Sequence, residues 1–488
     1  MNVATKSENF GTDADDDLPL YEARRKIYPI AVRGTFRRIK WALLLVTLGI
    51  YYLLPFVRWD RGPNAPSQAV LVDLVNGRFY FFFIEIWPQE IYYVTGLLIL
   101  AALVLFLMNA VAGRIWCGYL CPQTVWTDLF QVIERLVEGD PRQRREKLKN
   151  ASRVQRAFEA AAKHFLWLMV AWWTGGALVL YFADAPTLTM QLLKGEGPMV
   201  AYLWIGILTF TTYVLAGHLR EQVCTYMCPW PRIQAALTDE YAFNVTYRYD
   251  RGEPRGSLKK TEALKLEGLP AGDCIDCRQC VAACPTGVDI RLGSQLACIQ
   301  CGLCIDACDT VMEKIGRPTR LIAYDTEMNV QRRIKGLPPV TKVFRARTVL
   351  YAALIAVVGG IMVAALAMRG SEGLSAIHDR NPLFVQLSDG SIRNAYTLRI
   401  VNKQPMPRRF ALSVEGVPEA QLEVVGGLSE VENGRPVVKV GPDQTYELRA
   451  LVSTHAKLPV EASLPVTFKI TDVAGGETSI APDHFKGP

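Results

Sequence analysis

The sequence predicts a multidomain membrane protein: a five-helix α transmembrane bundle, a compact cysteine-rich module attached to it, and an all-β C-terminal domain. Three observations carry this reading. Hydrophobic residues make up 50% of the 488 and charged residues 21%, with a mean hydropathy of +0.14, too apolar a balance for a soluble chain of this size. Twelve cysteines are present, and all of them precede the last 118 residues. Those last residues also lack tryptophan and alternate apolar with polar side chains in short segments. Length, apolar content and cysteine distribution together exclude collagen-like, disordered and small disulfide-stapled chains.

Uncharged apolar runs occupy residues 41–57, 91–113, 165–183, 200–217 and 349–368, and a bilayer-spanning helix takes about 17–25 such residues. Each run is read as a transmembrane helix. Trp41 and Trp59 flank the first as an interfacial belt would, and its depth in the chain predicts an uncleaved anchor rather than a signal peptide. Lys and Arg number eight in residues 1–40, three in 58–90, ten in 114–163 and one in 184–199. Basic segments stay on the cytoplasmic side, so the N-terminus and the segment 218–347 are expected inside and the region from residue 371 outside. The formal charge of +7 is then mostly topological, and with no groove-reading motif beside it no nucleic-acid partner is expected.

Residues 1–36 carry an acidic cluster (Asp13, Asp15, Asp16, Asp17) ahead of basic residues and read as disordered or surface-lying. The stretch Phe79 to Trp87 is aromatic but contains Glu85 and is followed by Pro88. It reads as an interfacial or re-entrant segment, packing or contacting a quinol, and not as a sixth span. Near the C-terminus the alternating segments Tyr396 to Val401, Phe410 to Val414, Tyr446 to Val452 and Val466 to Ile470, with turn residues between them, suit an antiparallel immunoglobulin-like β-sandwich. The Cys, Trp, Cys signature of true immunoglobulin domains is absent, so the broad architecture alone follows.

The twelve cysteines sort into two groups of four and two pairs. Cys274, Cys277, Cys280 and Cys284 are followed by Pro285; Cys298, Cys301, Cys304 and Cys308 repeat the same spacing and are followed by Asp309. This is the bacterial ferredoxin pattern written twice. Three thiolates at x2 spacing wrap three corners of a cubane and the fourth reaches the neighbouring cluster. The expected partition is therefore crossed: Cys274, Cys277, Cys280 and Cys308 hold one [4Fe-4S] cluster, and Cys298, Cys301, Cys304 and Cys284 the other. Zinc sites or buried free thiols would not require this doubled spacing.

The pairs are Cys117 with Cys121 before Pro122, and Cys224 with Cys228 before Pro229, each in the string Cys-x-Tyr-x-Cys-Pro with Tyr119 and Tyr226 in matching places, 107 residues apart. Each pair lies just past a predicted span, and at i and i+4 its thiols are expected on one helix face. Four soft sulfurs would then converge, a donor set that favours Cu(I), zinc or iron–sulfur centres. The competing reading is that they are buried small hydrophobes or a reversible thiol pair. His164 and His218 lie at the ends of predicted helices, as haem or copper ligands or as capping and solvated residues. No glycine-rich dinucleotide or phosphate loop opens a helix after a strand, which argues against bound NAD or ATP. The expected organisation is a tail over 1–40, four spans with the two repeats over 41–228, a ferredoxin-like module over 229–347, a fifth span over 348–370 and an outer sandwich over 371–488.

The string CIDCRQCVAACPTGVDIRLGSQLACIQCGLCIDACD and the membrane motif WCGYLCPQTVWTDLFQVIERLVEGD resemble the CcoG/RdxA/FixG family of cytochrome oxidase accessory proteins. Asp309 matches that family as well. The resemblance implies a polyferredoxin of the bacterial inner membrane with a cytoplasmic 2[4Fe-4S] module and a periplasmic immunoglobulin-like domain. It further implies a role with copper chaperones in assembling a cbb-type haem–copper oxidase, through reduction of Cu(II) to Cu(I) at Cys117, Cys121, Cys224 and Cys228. Spacing alone reaches electron transfer; the copper substrate comes from the resemblance. Two other readings remain, a quinol-linked respiratory electron-transfer subunit and a redox-sensing assembly scaffold. The electron donor on the cytoplasmic side is unspecified by sequence, and a homodimer is compatible with it.

Overall fold

The computed structural model describes residues 26–62, 65–404, 406–425, 429–432, 434–456 and 463–487; the acidic cluster of the N-terminal tail lies outside them. The chain forms two compact units, each discontinuous in sequence. One comprises Met1–Tyr52, Ala101–Ala177 and Pro198–Ala353, the other Leu53–Leu100, Leu178–Gly197 and Leu354–Pro488.

Four helical segments among the described residues are long and apolar enough to cross a membrane: Thr35–Phe56, Pro88–Ala112, Met199–Leu219 and Ala346–Ala367. Their outward faces carry Leu45, Ile50, Leu98, Trp204, Phe210, Val357 and Ile361 exposed, which water would penalise and lipid would not. The remaining sequence run, 165–183, lies largely on the helix Arg153–Val179. That helix is 27 residues long but opens on charged turns, and its apolar part is diluted by three tryptophans and the pair Gly175 and Gly176. It therefore falls outside the four.

In the first unit the cysteine module is closed by one antiparallel strand pair, Asn244–Tyr247 with Ile322–Asp325. Its core combines Val245, Tyr247, Ile290, Ile305, Met312, Leu321 and Ile322. The module docks on the first membrane helix by a charge–dipole contact. The carboxylate of Asp306 accepts from the backbone N–H of Phe36 at 3.2 Å and of Arg37 at 2.7 Å, satisfying free donors where the helix begins and where its dipole is positive. Gly34 is required there, since a Cβ would meet the Asp306 side chain at 2.2 Å. The Arg37 side chain turns to Asp128 at 2.8 Å, and Lys40 stands 3.9 Å from the same carboxylate.

The second unit holds the β structure. A three-stranded antiparallel sheet runs Val70–Asp73, Arg78–Phe81, Ile84–Ile86. Residues 79–87 are therefore strand and turn and not a sixth span, as expected: Gly77 at φ +67° turns the chain into a hairpin, and pairing satisfies the backbone without a helix. Arg78 joins this sheet to the C-terminal domain through Asp443 at 2.7 Å, and Glu90 binds Lys403 at 2.6 Å.

The C-terminal domain is two five-stranded antiparallel sheets. One orders Gln421–Val425, Gln444–Thr454, Ile392–Asn402 and Glu372–His378, with Val385–Gln386 also paired to Ile392–Asn402; the other orders Ser429–Glu432, Arg435–Val440, Arg408–Glu415, Ser463–Asp472 and Thr478–Lys486. All four strand segments read from the sequence fall inside these strands. Burial alternates along Ile392–Asn402 and Ser463–Asp472, so Tyr396, Leu398, Phe410, Leu412, Phe468 and Phe485 meet in one core.

Replacing Asp306 by Ala removes the helix cap and should cost about 0.5–2 kcal/mol, read as a lower midpoint of the helical transition in detergent. Phe468→Ala empties a site that is 1% exposed and should cost about 3–5 kcal/mol. Calorimetry of the whole chain should show the loss in the β-domain transition alone.

Candidate iron–sulfur and thiolate site

The two ferredoxin-type loops repeat in backbone as well as in spacing. Asp276 and Arg278, either side of Cys277, have φ of +53° and +53°, and Gln300 and Gly302, either side of Cys301, have +56° and +73°. Left-handed residues flanking the second cysteine curl each loop around a hollow and turn its amides inward, the concave form that favours negative charge. A short helix then carries the third cysteine, Gln279–Ala282 in the first loop and Leu303–Lys314 in the second.

Two cavities result. One is lined by Cys274, Cys277, Cys280 and Cys308 with Tyr247, Met312, Leu321 and Ile322 among its walls. The other is lined by Cys284, Cys298, Cys301 and Cys304, with Val288 and Ile290. Cys280 borders both. Four thiols around a hollow walled mostly by apolar side chains, with Arg278 and Arg291 also bordering the first, fit a [4Fe-4S] cluster. Burial pushes the thiols of Cys280, Cys298 and Cys308 up to about 12, so binding iron must displace their protons.

The membrane thiols are arranged differently from the expected single helix face. Cys117 sits in the short helix Ile115–Tyr119, whereas Cys121 is extended at φ −62°, ψ 126° and caps the next helix, Pro122–Glu138. Cys224 lies in a π-helical turn, Val223–Met227, and Cys228 is extended after it. The cause is Pro122 and Pro229: a residue before proline is driven out of the α region, so each helix ends between its two cysteines. The internal repeat is still present in the backbone. Gly113 and Arg220, both four residues ahead of the first cysteine and 107 apart, both have positive φ, +54° and +45°. Arg220 carries that strain while buried, held by Glu134 at 2.8 Å and by the Gly217 carbonyl at 2.8 Å.

The four thiols lie near enough for their charges to act on one another. Burial, then Cys121 and Cys224, push Cys117 up to about 12; burial, then Cys121 and Cys228, do the same to Cys224. Among the described residues, however, no three Cys, His, Asp or Glu side chains close into a set that could hold a metal ion. An ion bound here would have to draw the thiols together. His164 and His218 do come together, with rings 5.8 Å apart and nearly parallel at 13°, and the hydroxyl of Tyr213 lies 2.9 Å from His164 Nδ1.

Sequence spacing missed the residues that join the two cysteine systems. Ile299, Cys301 and Leu303 pack against Cys117 and Cys224. Arg114 Nη1 donates to the carbonyls of Leu296 at 2.5 Å and Cys298 at 3.2 Å, and its backbone N–H donates to Gln300 Oε1 at 2.7 Å. The Tyr119 hydroxyl donates to the Cys301 carbonyl at 3.0 Å and lies 3.3 Å from the Tyr324 hydroxyl, which bonds to the Gln300 carbonyl. Aligning the repeats at their 107-residue offset would have singled out Gly113 and Arg220; nothing in the spacing marks Tyr324.

These features define a membrane-anchored iron–sulfur redox protein with a β-sandwich at its C-terminus. Comparison with known families agrees: residues 219–327 match a 4Fe-4S dicluster domain, 94–138 a 4Fe-4S binding domain, and 362–488 the Ig-like fold at the C-terminus of FixG. The 94–138 match contains only Cys117 and Cys121, half of what a cubane needs. The chain is 45% identical to the nitrogen fixation protein FixG of Rhizobium meliloti, over 96% of this chain and 94% of that protein. Against Protein RdxB of Cereibacter sphaeroides the identity is 48% over 94% and 95% of the two chains, and against RdxA of the same organism 51% over 82% and 84%. The chain belongs to the FixG/RdxA family.

In cluster-free protein at pH 8, Cys280 and Cys308, raised from 9.0 to about 12, should alkylate about a thousandfold more slowly than an unperturbed thiol. Cys277, which is exposed, should react first. Mass-resolved labelling against time reads the order.

Proposed function

We propose that the protein is an iron–sulfur electron-transfer protein of the bacterial inner membrane that reduces Cu(II) to Cu(I) in support of cbb-type oxidase assembly. Cys274, Cys277, Cys280 and Cys308 hold one [4Fe-4S] cluster and Cys298, Cys301, Cys304 and Cys284 the other; when bound, these supply one-electron carriers. Copper is the substrate. Cys117, Cys121, Cys224 and Cys228 bind it, and thiolate ligation favours the product Cu(I) over Cu(II). Each Cu(II) takes one electron, drawn ultimately from a one-electron reductant on the cytoplasmic side.

The observation that carries this reading is the packing of Ile299 and Cys301 on Cys117 and Cys224, which brings a cluster-type loop into contact with the soft-sulfur set. Arg114 lies beside Cys117, where its guanidinium opposes the upward push of burial on that thiol and helps it ionise when a metal arrives. In this reading the helix Arg153–Val179 is the fifth span, its apolar Phe165, Met169, Trp172 and Trp173 exposed to lipid. By the positive-inside rule the ferredoxin module is cytoplasmic and the sandwich periplasmic, where copper chaperones and assembly partners would meet it.

The test is an anaerobic Cu(II) titration of dithionite-reduced protein, following cluster absorbance and a Cu(I)-specific chelator together. Cluster bleaching should reverse as Cu(I) appears, one copper per electron. The variant with Cys117, Cys121, Cys224 and Cys228 all changed to Ala should keep cluster absorbance and lose the copper response. Clusters that ignore copper in the unaltered protein would refute the cupric reading.

A further inference from the structure

The two Cys-x-Tyr-x-Cys-Pro repeats share a positive-φ residue four places ahead and an extended second cysteine but present different surfaces. In the first, Gly118 approaches the ferredoxin loop so closely that a Cβ would meet the Ile299 carbonyl oxygen at 2.9 Å, Cys301 Cα at 3.0 Å and the Gln300 carbonyl oxygen at 3.0 Å. Gly113 is equally confined, its Cβ position lying 2.2 Å from Asn244 Oδ1 and 2.6 Å from Gln300 Oε1. Tyr119, 5% exposed, is bonded to the Cys301 carbonyl at 3.0 Å.

At the same places the second repeat has Arg220, Thr225 and Tyr226. The Arg220 side chain turns away to Glu134, the Thr225 hydroxyl returns to its own helix at the Glu221 carbonyl, 2.9 Å, and Tyr226 is 75% exposed. Beside it Met227, where the first repeat has Leu120, is 60% exposed and adjoins Cys228. A thioether next to a thiol is a soft donor pair on an open face.

We infer that the repeats divide the labour: the first, whose main chain and Tyr119 are seated on the loop of Cys301, is the electron-input arm, and the second, which reaches that loop through Cys224, is the copper-entry arm, receiving the ion at Met227 and Cys228. This rests on the cupric reading above and assigns its two halves. Gly118 and Tyr119 are positioning residues that hold the Cys117 arm against the loop, while Met227 meets the substrate. Each Cu(II) that becomes Cu(I) would take one electron, which clusters held by the eight ferredoxin-type cysteines would supply, and only metal–sulfur coordination changes at the four thiols.

Stopped-flow reoxidation of the dithionite-reduced full-length protein by Cu(II) separates the arms. Gly118→Ala should lower the limiting rate about tenfold or more, because small misplacements of a reacting geometry are costly, and Tyr119→Phe should lower it less; both should leave half-saturation unchanged. Met227→Leu should raise the Cu(II) concentration for half-saturation and spare the limiting rate, and Thr225→Ala should alter neither. Cluster absorbance and reoxidation by ferricyanide, which needs no thiol, should match the unaltered protein in every variant. If first-arm and second-arm variants change the same parameter, the division is overturned.

Thiol labelling with methyl methanethiosulfonate gives a reading that needs no copper chemistry. Cys228 should label well ahead of Cys117 in the cluster-loaded protein, and Gly118→Ala should speed Cys117. Equal labelling, or Cys117 first, overturns the assignment. A protein whose clusters ignore Cu(II) but whose labelling keeps this order loses the cupric reading alone.

Discussion

At Gly118 two main chains meet with no side chain between them. The first membrane repeat lies on the carbonyls of Ile299 and Gln300, and the other contacts of the cysteine-bearing unit hold that approach in register. Arg114 spans it from one side, bonded to Leu296, Cys298 and Pro231 carbonyls. Tyr119 and Tyr324 close it from the other. Buried carbonyls of a ligand loop would otherwise lack donors, and each such group would cost more than a hydrogen bond returns. The same side chains that satisfy the loop thus bind it to the membrane helices.

A second tie works through charge. Asp306 sits between Cys304 and Cys308 in sequence, yet its carboxylate is occupied with the start of the first membrane helix. Any movement of the Leu303–Lys314 helix, which carries two ligand-type cysteines, is therefore coupled to the membrane helix. Around it several buried ions are paired: Arg37 with Asp128, Arg220 with Glu134, Lys163 with Glu138. Pairs of this kind add little net stability but penalise every alternative arrangement that separates them. Their effect is to fix one docking geometry, which a redox contact depends on.

The cysteine loops, the C-terminal strands and most of the apolar helices were legible because each is a local pattern. Spacing of x2, x2, x3 specifies a cluster loop without reference to the rest of the chain, and strict alternation specifies a half-buried strand. Legibility failed where neighbours decide. The stretch Phe79 to Trp87 is aromatic without a clear period, and only its pairing with Val70–Asp73 across the turn at Gly77 makes it strand. The Cys-x-Tyr-x-Cys-Pro pairs look helical by spacing, yet proline at the following position extends the second cysteine of each. Arg153–Val179 carries an apolar run of span length, but its charged opening turns and tryptophans set it apart from the other four.

By itself the sequence determined the donor chemistry, the repeat and the division into helical, cysteine-rich and β segments, since composition and spacing are properties of short stretches of chain. Only the tertiary structure decided that one membrane repeat lays its main chain on the ferredoxin loop while the other reaches it through Cys224 and leaves Tyr226 and Met227 exposed, and that Asp306 serves a helix far away in sequence. The two repeats differ by Gly118 against Thr225 and Leu120 against Met227, substitutions that are unremarkable on paper. Their meaning depends on what lies opposite. A missing Cβ matters only where another backbone comes within 3.0 Å, and that distance is set by packing among segments that no local pattern relates.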